Sequence, residues 1–226
     1  MDAKQLFETY RNRFAALYQA VLEGHKNAER PHRGHGLDHD VTVAQLAATI
    51  APDERTGEKA WVAALLHSTD RTVEKGNTTK VESFIGVYLK ELPEGYFSNT
   101  EVEEIFVAVM RHTELNQGDQ SLTQQVLMDA DRLANLQAAV IIRAGQFQPT
   151  IPALELQYLD SINPQSTYHE PKSVIDDLRA NIREYIPKLR LPQAISLGTK
   201  LGSRLQAYID MVQDDYRSIG LDGVIL

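Results

Sequence analysis

Four of the seven histidines in this chain occur where they could form a metal site. His35 and His39 are four residues apart, while His67 and His112 each follow an apolar stretch, and two carboxylates come later in residues 129–132. The chain has no cysteine, so a metal would have to bind imidazole nitrogens and carboxylate oxygens. These ligands suit Zn, Mn, Fe, Ni or Mg. Any one of these histidines taken singly is better explained as a structural residue, and the spacing alone is a weak signal.

The apolar stretch that ends at His67 has the clearest pattern in the chain. From Trp61 to Leu66 no side chain is polar, and a helix that is apolar on every face is normally buried. Imidazole, hydroxyl, carboxylate and guanidinium groups then follow between His67 and Arg71. Burying a polar group without a partner costs roughly 2–7 kcal/mol. We therefore expect other parts of the chain to supply partners for these groups.

Apolar residues recur at helical spacing along most of the chain, and no stretch alternates like a strand. The first helix is predicted from Asp2 to Gly24, followed by a polar loop at residues 25–36. The pattern predicts further helices at about residues 38–50, 53–71, 77–89, 100–112, 121–141, 173–186 and 192–219. Between them, residues 145–172 are rich in proline and polar side chains. This segment is predicted to be irregular, with one short helix near residues 153–159.

Length and charge narrow the functional class. The chain has 226 residues, 42% of them hydrophobic, and a formal net charge of −8. Such a chain can form a sizeable core, and its charge does not favour binding to nucleic acid. No signal peptide is visible and no apolar run approaches the ~18–20 residues that span a bilayer, so we expect a cytoplasmic protein. The apolar helices could bury a homodimer interface as readily as a core.

The order of these residues resembles the HD-domain superfamily of metal-dependent phosphohydrolases. The family pattern is a histidine, a His-Asp pair and a distal aspartate on a helical bundle. The residues that match it here are His35, His39, Leu65-Leu66-His67 and Asp129-Ala130-Asp131-Arg132-Leu133. Residues 166–172 and the helix that contains Arg204 are similar to the tail of uncharacterised bacterial members, so the resemblance covers roughly residues 20–215.

The resemblance implies an all-α fold in a single domain spanning residues 1–226. Its HD-domain helical bundle is expected at about residues 20–145, with a C-terminal helical extension at about residues 146–226. The implied activity is hydrolysis of a phosphate ester or anhydride, with a small phosphorylated molecule such as a nucleotide as substrate. Residues 146–172 could be a lid over the site or a packed connector.

The resemblance also assigns roles to individual residues. His39, His67 and Asp129 match the ligands of a divalent metal ion, which could be Mn, Fe, Ni, Zn or Mg. His35 and His112 match histidines that line the pocket or approach a substrate phosphate, where they could act as catalytic groups.

One position departs from the family pattern. Ser68 stands where the family has the aspartate of its His-Asp pair, and a neutral hydroxyl is a poor substitute for a carboxylate in holding a metal and its water. Asp70 could compensate, because residues three apart on a helix lie about 5–6 Å from each other between Cβ atoms. Alternatively, Asp70 pairs with Arg71. The departure therefore leaves a second hypothesis open, a degenerate member that binds a ligand or partner without turnover.

Other charged residues have two interpretations each. Asp131 could hold an ion pair while Asp129 faces the pocket, because neighbouring helical positions point about 100° apart. Arg132 and Arg71 are candidates for binding the substrate, although Arg132 could also be structural.

Two lysines and three histidines are left outside the predicted site. Lys75 and Lys80 could meet an anionic substrate but are more simply solvated loop residues. We interpret the remaining histidines as surface or loop residues, namely His25, His32 and His169.

Overall fold

The structure is a computed structural model that describes residues 2–28, 34–73 and 77–225. Every regular element in these ranges is a helix, which confirms the predicted all-α class. The chain divides into two compact units, residues 1–134 and residues 135–226. This division falls before the predicted end of the bundle at about residue 145.

The first unit contains eight helices within its described residues. They are α1 (Ala3–Arg13), α2 (Ala15–Lys26), α3 (Leu37–Ile50), α4 (Glu54–Leu66), α5 (Thr69–Thr72), α6 (Thr78–Leu89), α7 (Asn99–Met110) and α8 (Leu122–Ala134).

Side-chain caps define several of the helix starts. Asp53 accepts a hydrogen bond from the backbone of Thr56 and begins α4, as the sequence predicts. The capping box of α7 is formed by Ser98 and Glu101, two residues before the predicted start at Thr100. At α3, Gly36 occupies the cap position, so Asp38 lies in the first turn instead of capping the helix.

The predicted first helix is broken in two at Phe14. The backbone of Phe14 leaves the helical region, with φ −112° and ψ 38°, and α2 then continues past Gly24 to Lys26. The ring of Phe14 is fully buried and stacks on Phe97 with centroids 5.7 Å apart. Burial of this aromatic ring accompanies the break, which helical periodicity alone does not reveal.

Helix α4 is the centre of the first unit and packs against α3, α7 and α8. All seven residues from Ala60 to Leu66 are buried, in agreement with the apolar pattern of the stretch. The indole of Trp61 lies against the rings of Tyr10 and Phe14. The helix therefore presents no face to water over its last two turns, and its C-terminal end is fixed inside the bundle.

A buried carboxylate ties the first turns of α4 to its neighbours. Glu58 is 3% exposed and accepts hydrogen bonds from Arg13, Arg55 and Tyr96. Arg55 also donates to both carboxylate oxygens of Glu101, at 2.6 and 2.8 Å. A buried carboxylate needs several donors to offset its lost hydration. Because the donors to Glu58 come from different parts of the chain, the network connects α1, α4 and the start of α7.

The second unit is built on α9 (Val140–Phe147), α10 (Val174–Tyr185) and α11 (Pro192–Ser218), with 3-10 turns at Leu156–Tyr158 and Ile186–Lys188. The helix predicted over residues 121–141 is thus two helices, α8 and α9. Arg179 on α10 donates to the carbonyls of Tyr158, Leu159 and Ser161. These bonds attach part of the irregular segment to α10.

No helix in the described ranges is both long and apolar enough to cross a bilayer.

The Arg55–Glu101 pair should make stability depend on acid pH. Hydrogen bonds from Arg55 and from the backbone of Ser98 lower the pKa of Glu101 from 4.5 to about 2. A lowered folded-state pKa stabilises the fold above the unfolded value, and this contribution is lost as pH falls from about 4.5 towards 2. Glu101→Gln should therefore be less stable than wild type at pH 7 and lose less stability on acidification. Urea unfolding at pH 7 and at a pH below about 4.5 measures the loss of stability on acidification. The control is Glu103→Gln, which changes an exposed glutamate on the same helix. Equal acid sensitivity in Glu101→Gln and wild type would contradict the assignment.

The core around Trp61 should tolerate loss of the indole nitrogen better than loss of the ring. Nε1 of Trp61 has no hydrogen-bond partner within the described residues, so Trp61→Phe removes mainly packing, at about 1–2 kcal/mol, whereas Trp61→Ala should cost about 3–5 kcal/mol. Urea unfolding followed by far-ultraviolet circular dichroism tests the order, because Trp61 is the only tryptophan. The control is Val87→Ala, which shortens an exposed side chain on α6 and should change stability by less than about 0.5 kcal/mol.

Candidate metal centre

Three side chains from three helices converge at one end of α4. Nε2 of His39 lies 3.2 Å from Nε2 of His67 and 3.3 Å from Oδ1 of Asp131. The third side of the triangle, from His67 to Asp131, measures 3.9 Å. His39 and His67 are buried, and Asp131 is partly exposed. The cluster thus consists of two buried imidazoles and one carboxylate that is partly exposed to solvent.

Local helix geometry sets the direction of the imidazole of His67. His67 is the first residue after α4, and its Nδ1 lies 2.6 Å from the carbonyl oxygen of Ala64. The last carbonyls of a helix have no partner in the helix itself, so one of them can accept the Nδ1–H. In the neutral ring this leaves the lone pair on Nε2, which faces His39 and Asp131.

The geometry and chemistry of the cluster fit a divalent metal ion. The three ligand atoms all lie within 4.8 Å of one another, and ligands held at about 2.1 Å in a tetrahedron are about 3.4 Å apart. Metal-bound histidines commonly donate their other ring nitrogen to a carbonyl, as His67 does. His39, His67 and Asp131 are therefore the residues that could hold the metal.

The carboxylate in this cluster comes from Asp131, whereas the sequence pattern pointed to Asp129. Two residues along a helix rotate the side chain by about 200°, so only one of the two can face the imidazoles. Asp129 is fully buried and accepts from Arg132 at 3.2 Å. The other terminal nitrogen of Arg132 donates to Asn116 at 2.8 Å. The arrangement thus exchanges the expected roles of the two aspartates and gives Arg132 an internal ion pair.

Ser68 and Asp70 occupy different environments. Ser68 is buried with its Oγ 3.4 Å from Nε2 of His67, so the hydroxyl sits at the edge of the cluster. Asp70 is nearly half exposed and lies 3.4 Å from the guanidinium of Arg71. The cluster found within the described residues does not include Asp70. The hydroxyl of Ser68 and the carboxylate of Asp131 thus lie near the same nitrogen, Nε2 of His67, at 3.4 and 3.9 Å.

His35 and His112 flank the cluster on either side. The ring of His35 is 5.2 Å from that of His39 and the ring of His112 is 5.4 Å from that of His67, both edge to face. Nδ1 of His112 lies 2.6 Å from the carbonyl oxygen of Val109, the same arrangement as at the end of α4. All four predicted site histidines thus line one region.

Burial and charge set the protonation of this region. Burial lowers the pKa of His112, and the neighbouring imidazole of His67 lowers it further. Burial acts to raise the pKa of Asp131, but the hydrogen bond to His39 and the imidazoles of His39, His67 and His112 together hold it well below its ordinary range. At neutral pH the site therefore combines an ionised carboxylate with a neutral His112.

Two residues behind the cluster were missed by sequence reasoning. Asp40 is 1% exposed, and its Oδ2 lies 2.8 Å from Nε2 of His25, which we had interpreted as a surface or loop residue. The other oxygen of Asp40 is 3.6 Å from Nδ1 of His67. The sequence offered one signal for Asp40, its position directly after His39 on a helix. Neighbouring helical side chains point about 100° apart, so Asp40 was bound to face a different part of the structure from His39.

The other residues considered from the sequence are not members of the cluster found among the described residues. Lys75 and His32 lie outside the described residues. Lys80 is in the first turn of α6, and His169 is an exposed residue whose ring packs against Tyr168.

Comparison with solved structures shows a shared fold. A Lactobacillus plantarum protein has 20% sequence identity and a TM-score of 0.67, covering 92% of this chain and 98% of that one. Bacillus subtilis YpgQ, solved in complex with ADP, has 18% identity and a TM-score of 0.60, covering 91% and 100%. A Listeria innocua protein has 14% identity and a TM-score of 0.59, covering 96% and 98%.

No curated protein matches the chain significantly. The family model that does match is that of the HD domain, over residues 36–136. This range runs from the cap of α3 to just beyond α8, and it contains His39, His67 and Asp131. This part of the chain, somewhat less than half of its length, is therefore similar to the HD domain.

Proposed function

We propose that this protein is a metal-dependent phosphohydrolase that cleaves a phosphate ester or anhydride. The observation that carries the proposal is the convergence of His39, His67 and Asp131 at metal-ligand spacing inside an HD domain. Two imidazole nitrogens and one carboxylate suit a divalent transition metal better than Ca²⁺, which prefers oxygen ligands.

A divalent ion held by these residues would polarise a phosphoryl oxygen and lower the pKa of a bound water. The chain itself supplies the protein groups around it. Asp131 contributes negative charge, and the bond from His67 to Ala64 fixes which nitrogen of His67 carries the lone pair. His112 is kept neutral by burial and by His67, so it can accept a proton or, once protonated, pass one to a leaving oxygen.

We further propose a nucleotide as the substrate. YpgQ, which shares the fold across 91% of this chain, is solved with ADP. His35 and His112 lie beside the two imidazoles of the cluster, where they could stabilise charge on a phosphate. The side chain of Arg71 is more than a third exposed, and it is the more accessible of the two candidate arginines because Arg132 is bound internally.

Ser68 favours a second candidate, a protein that binds a nucleotide without hydrolysing it. The hydroxyl beside His67 carries no charge, so one negative ligand of the usual family pattern is absent. A site that retains the fold and the pocket but holds metal weakly would bind a phosphate without turning it over.

The first prediction for this site concerns metal content. Wild-type protein purified without chelator should contain about one transition metal ion per chain, and both His67→Ala and Asp131→Asn should lose it, because each removes a ligand. Asp129→Asn is the matched comparison, and it should keep the metal but melt at a lower temperature because it weakens the buried pair with Arg132. Elemental analysis and thermal melting give both readouts. Metal loss in Asp129→Asn with retention in Asp131→Asn would reverse the assignment of the two aspartates.

The second prediction separates turnover from binding alone. With Mn²⁺, Ni²⁺, Fe²⁺ or Zn²⁺ supplied, wild type should release phosphate or pyrophosphate from a nucleoside di- or triphosphate, and His112→Ala should reduce kcat by about 10²- to 10⁴-fold. Chromatography of the nucleotide after incubation identifies the product. A nucleotide that raises the melting temperature and is recovered unchanged with every metal would support the binding protein and contradict the hydrolase.

A further inference from the structure

A pair of ionisable side chains lies on the Nδ1 side of the candidate metal ligand His67. Asp40 and His25 come from different helices, α3 and α2, and both side chains are less than 10% exposed. Their contact is 2.8 Å between Nε2 of His25 and Oδ2 of Asp40. Asp40 thus lies between His25 and His67, with one carboxylate oxygen near each imidazole.

The arrangement of Asp40 suggests a role beyond joining two helices. Its Oδ1 is buried and has no hydrogen-bond partner in the part of the chain that the structure describes. That oxygen lies 3.6 Å from Nδ1 of His67. A buried carboxylate oxygen is costly to leave without a donor, so its position next to a ring that could bind a metal needs an explanation.

We propose that Asp40, oriented by His25, is a positioning residue of the metal centre and supplies through His67 part of the negative charge that Ser68 does not supply. This inference rests on the proposed metal site.

The physical basis is the effect of a carboxylate on the far side of a metal-bound imidazole. Such a carboxylate makes the ring a stronger ligand and restrains its orientation. Here the hydrogen bond from Nδ1 goes to Ala64, at 2.6 Å, so Asp40 acts through its charge at 3.6 Å. Interactions between charges are strong at this distance because the surroundings are dry.

The charge balance of the cluster supports the same conclusion. The described cluster contains a single carboxylate, from Asp131, and it lies on the open side of the two imidazoles. Asp40 is on the closed side, next to the residue that precedes Ser68. Together they place one negative group on each side of His67, which offsets the positive charge of a divalent ion without a carboxylate at position 68.

Binding of Co²⁺ alone to the full-length apo protein tests the proposal, because the visible absorption of Co²⁺ reports both affinity and ligand geometry. Asp40→Asn keeps the shape of the side chain and removes its charge. It should weaken Co²⁺ binding about 10- to 100-fold. The control is Asp38→Asn, an exposed residue in the same turn of α3, which should bind as wild type does.

Thermal melting of the apo proteins separates a positioning role from a structural one. If Asp40 only joins α2 to α3, Asp40→Asn lowers the melting temperature while Co²⁺ affinity and absorption stay as in wild type, and the proposal is overturned. If Asp40→Asn does not fold, His25→Gln takes its place, and it should weaken Co²⁺ binding less than tenfold while changing the absorption bands. Unchanged affinity and bands in His25→Gln would also overturn the proposal.

Wild type itself distinguishes failure of this inference from failure of the proposed function. Wild-type protein that binds Co²⁺, with binding lost in His67→Ala, supports the metal site whatever Asp40→Asn does. Wild type that takes up no Co²⁺ overturns the metal site and the role of Asp40 together.

Discussion

The candidate site depends on how two helices end. At the ends of α4 and α7, a histidine places its Nδ1 2.6 Å from the carbonyl oxygen three residues earlier, Ala64 for His67 and Val109 for His112. This contact uses a carbonyl that the helix leaves unpaired, and it determines which ring nitrogen is available to the pocket. The imidazoles are therefore oriented by backbone groups that cannot rotate away.

The rest of the first unit keeps these helix ends in place. Helix α4 is buried on all sides over residues 60–66, and the ionic network around Glu58 anchors its beginning to α1 and α7. Because α4 cannot slide or rotate within this packing, His67 stays within 3.2 Å of His39 on α3. A buried apolar helix thus holds a polar side chain, because His67 follows its last residue and lies in the cluster with His39 and Asp131.

Ser68 stands where the HD family has an aspartate, and other carboxylates lie near the neighbouring His67. Asp131 lies on the open side of the imidazoles and Asp40 on the closed side. Asp70, which the sequence suggested as the compensating group, instead lies beside Arg71 near the surface. Asp40 on α3 and Asp131 on α8 thus each place a carboxylate oxygen within 4 Å of a ring nitrogen of His67.

The sequence by itself determined the helical class, most of the helices and the four histidines of the site, because apolar periodicity, capping residues and residue chemistry are local properties. It did not reveal the break at Phe14 or the division of the long helix into α8 and α9, which accompany packing between distant residues. It pointed to Asp129, whereas Asp131 lies beside the imidazoles, since both lie on one helix and only the neighbours of α8 decide which side faces the imidazoles. The pairing of His25 with Asp40 was likewise decided by tertiary structure, because it joins side chains 15 positions apart on separate helices.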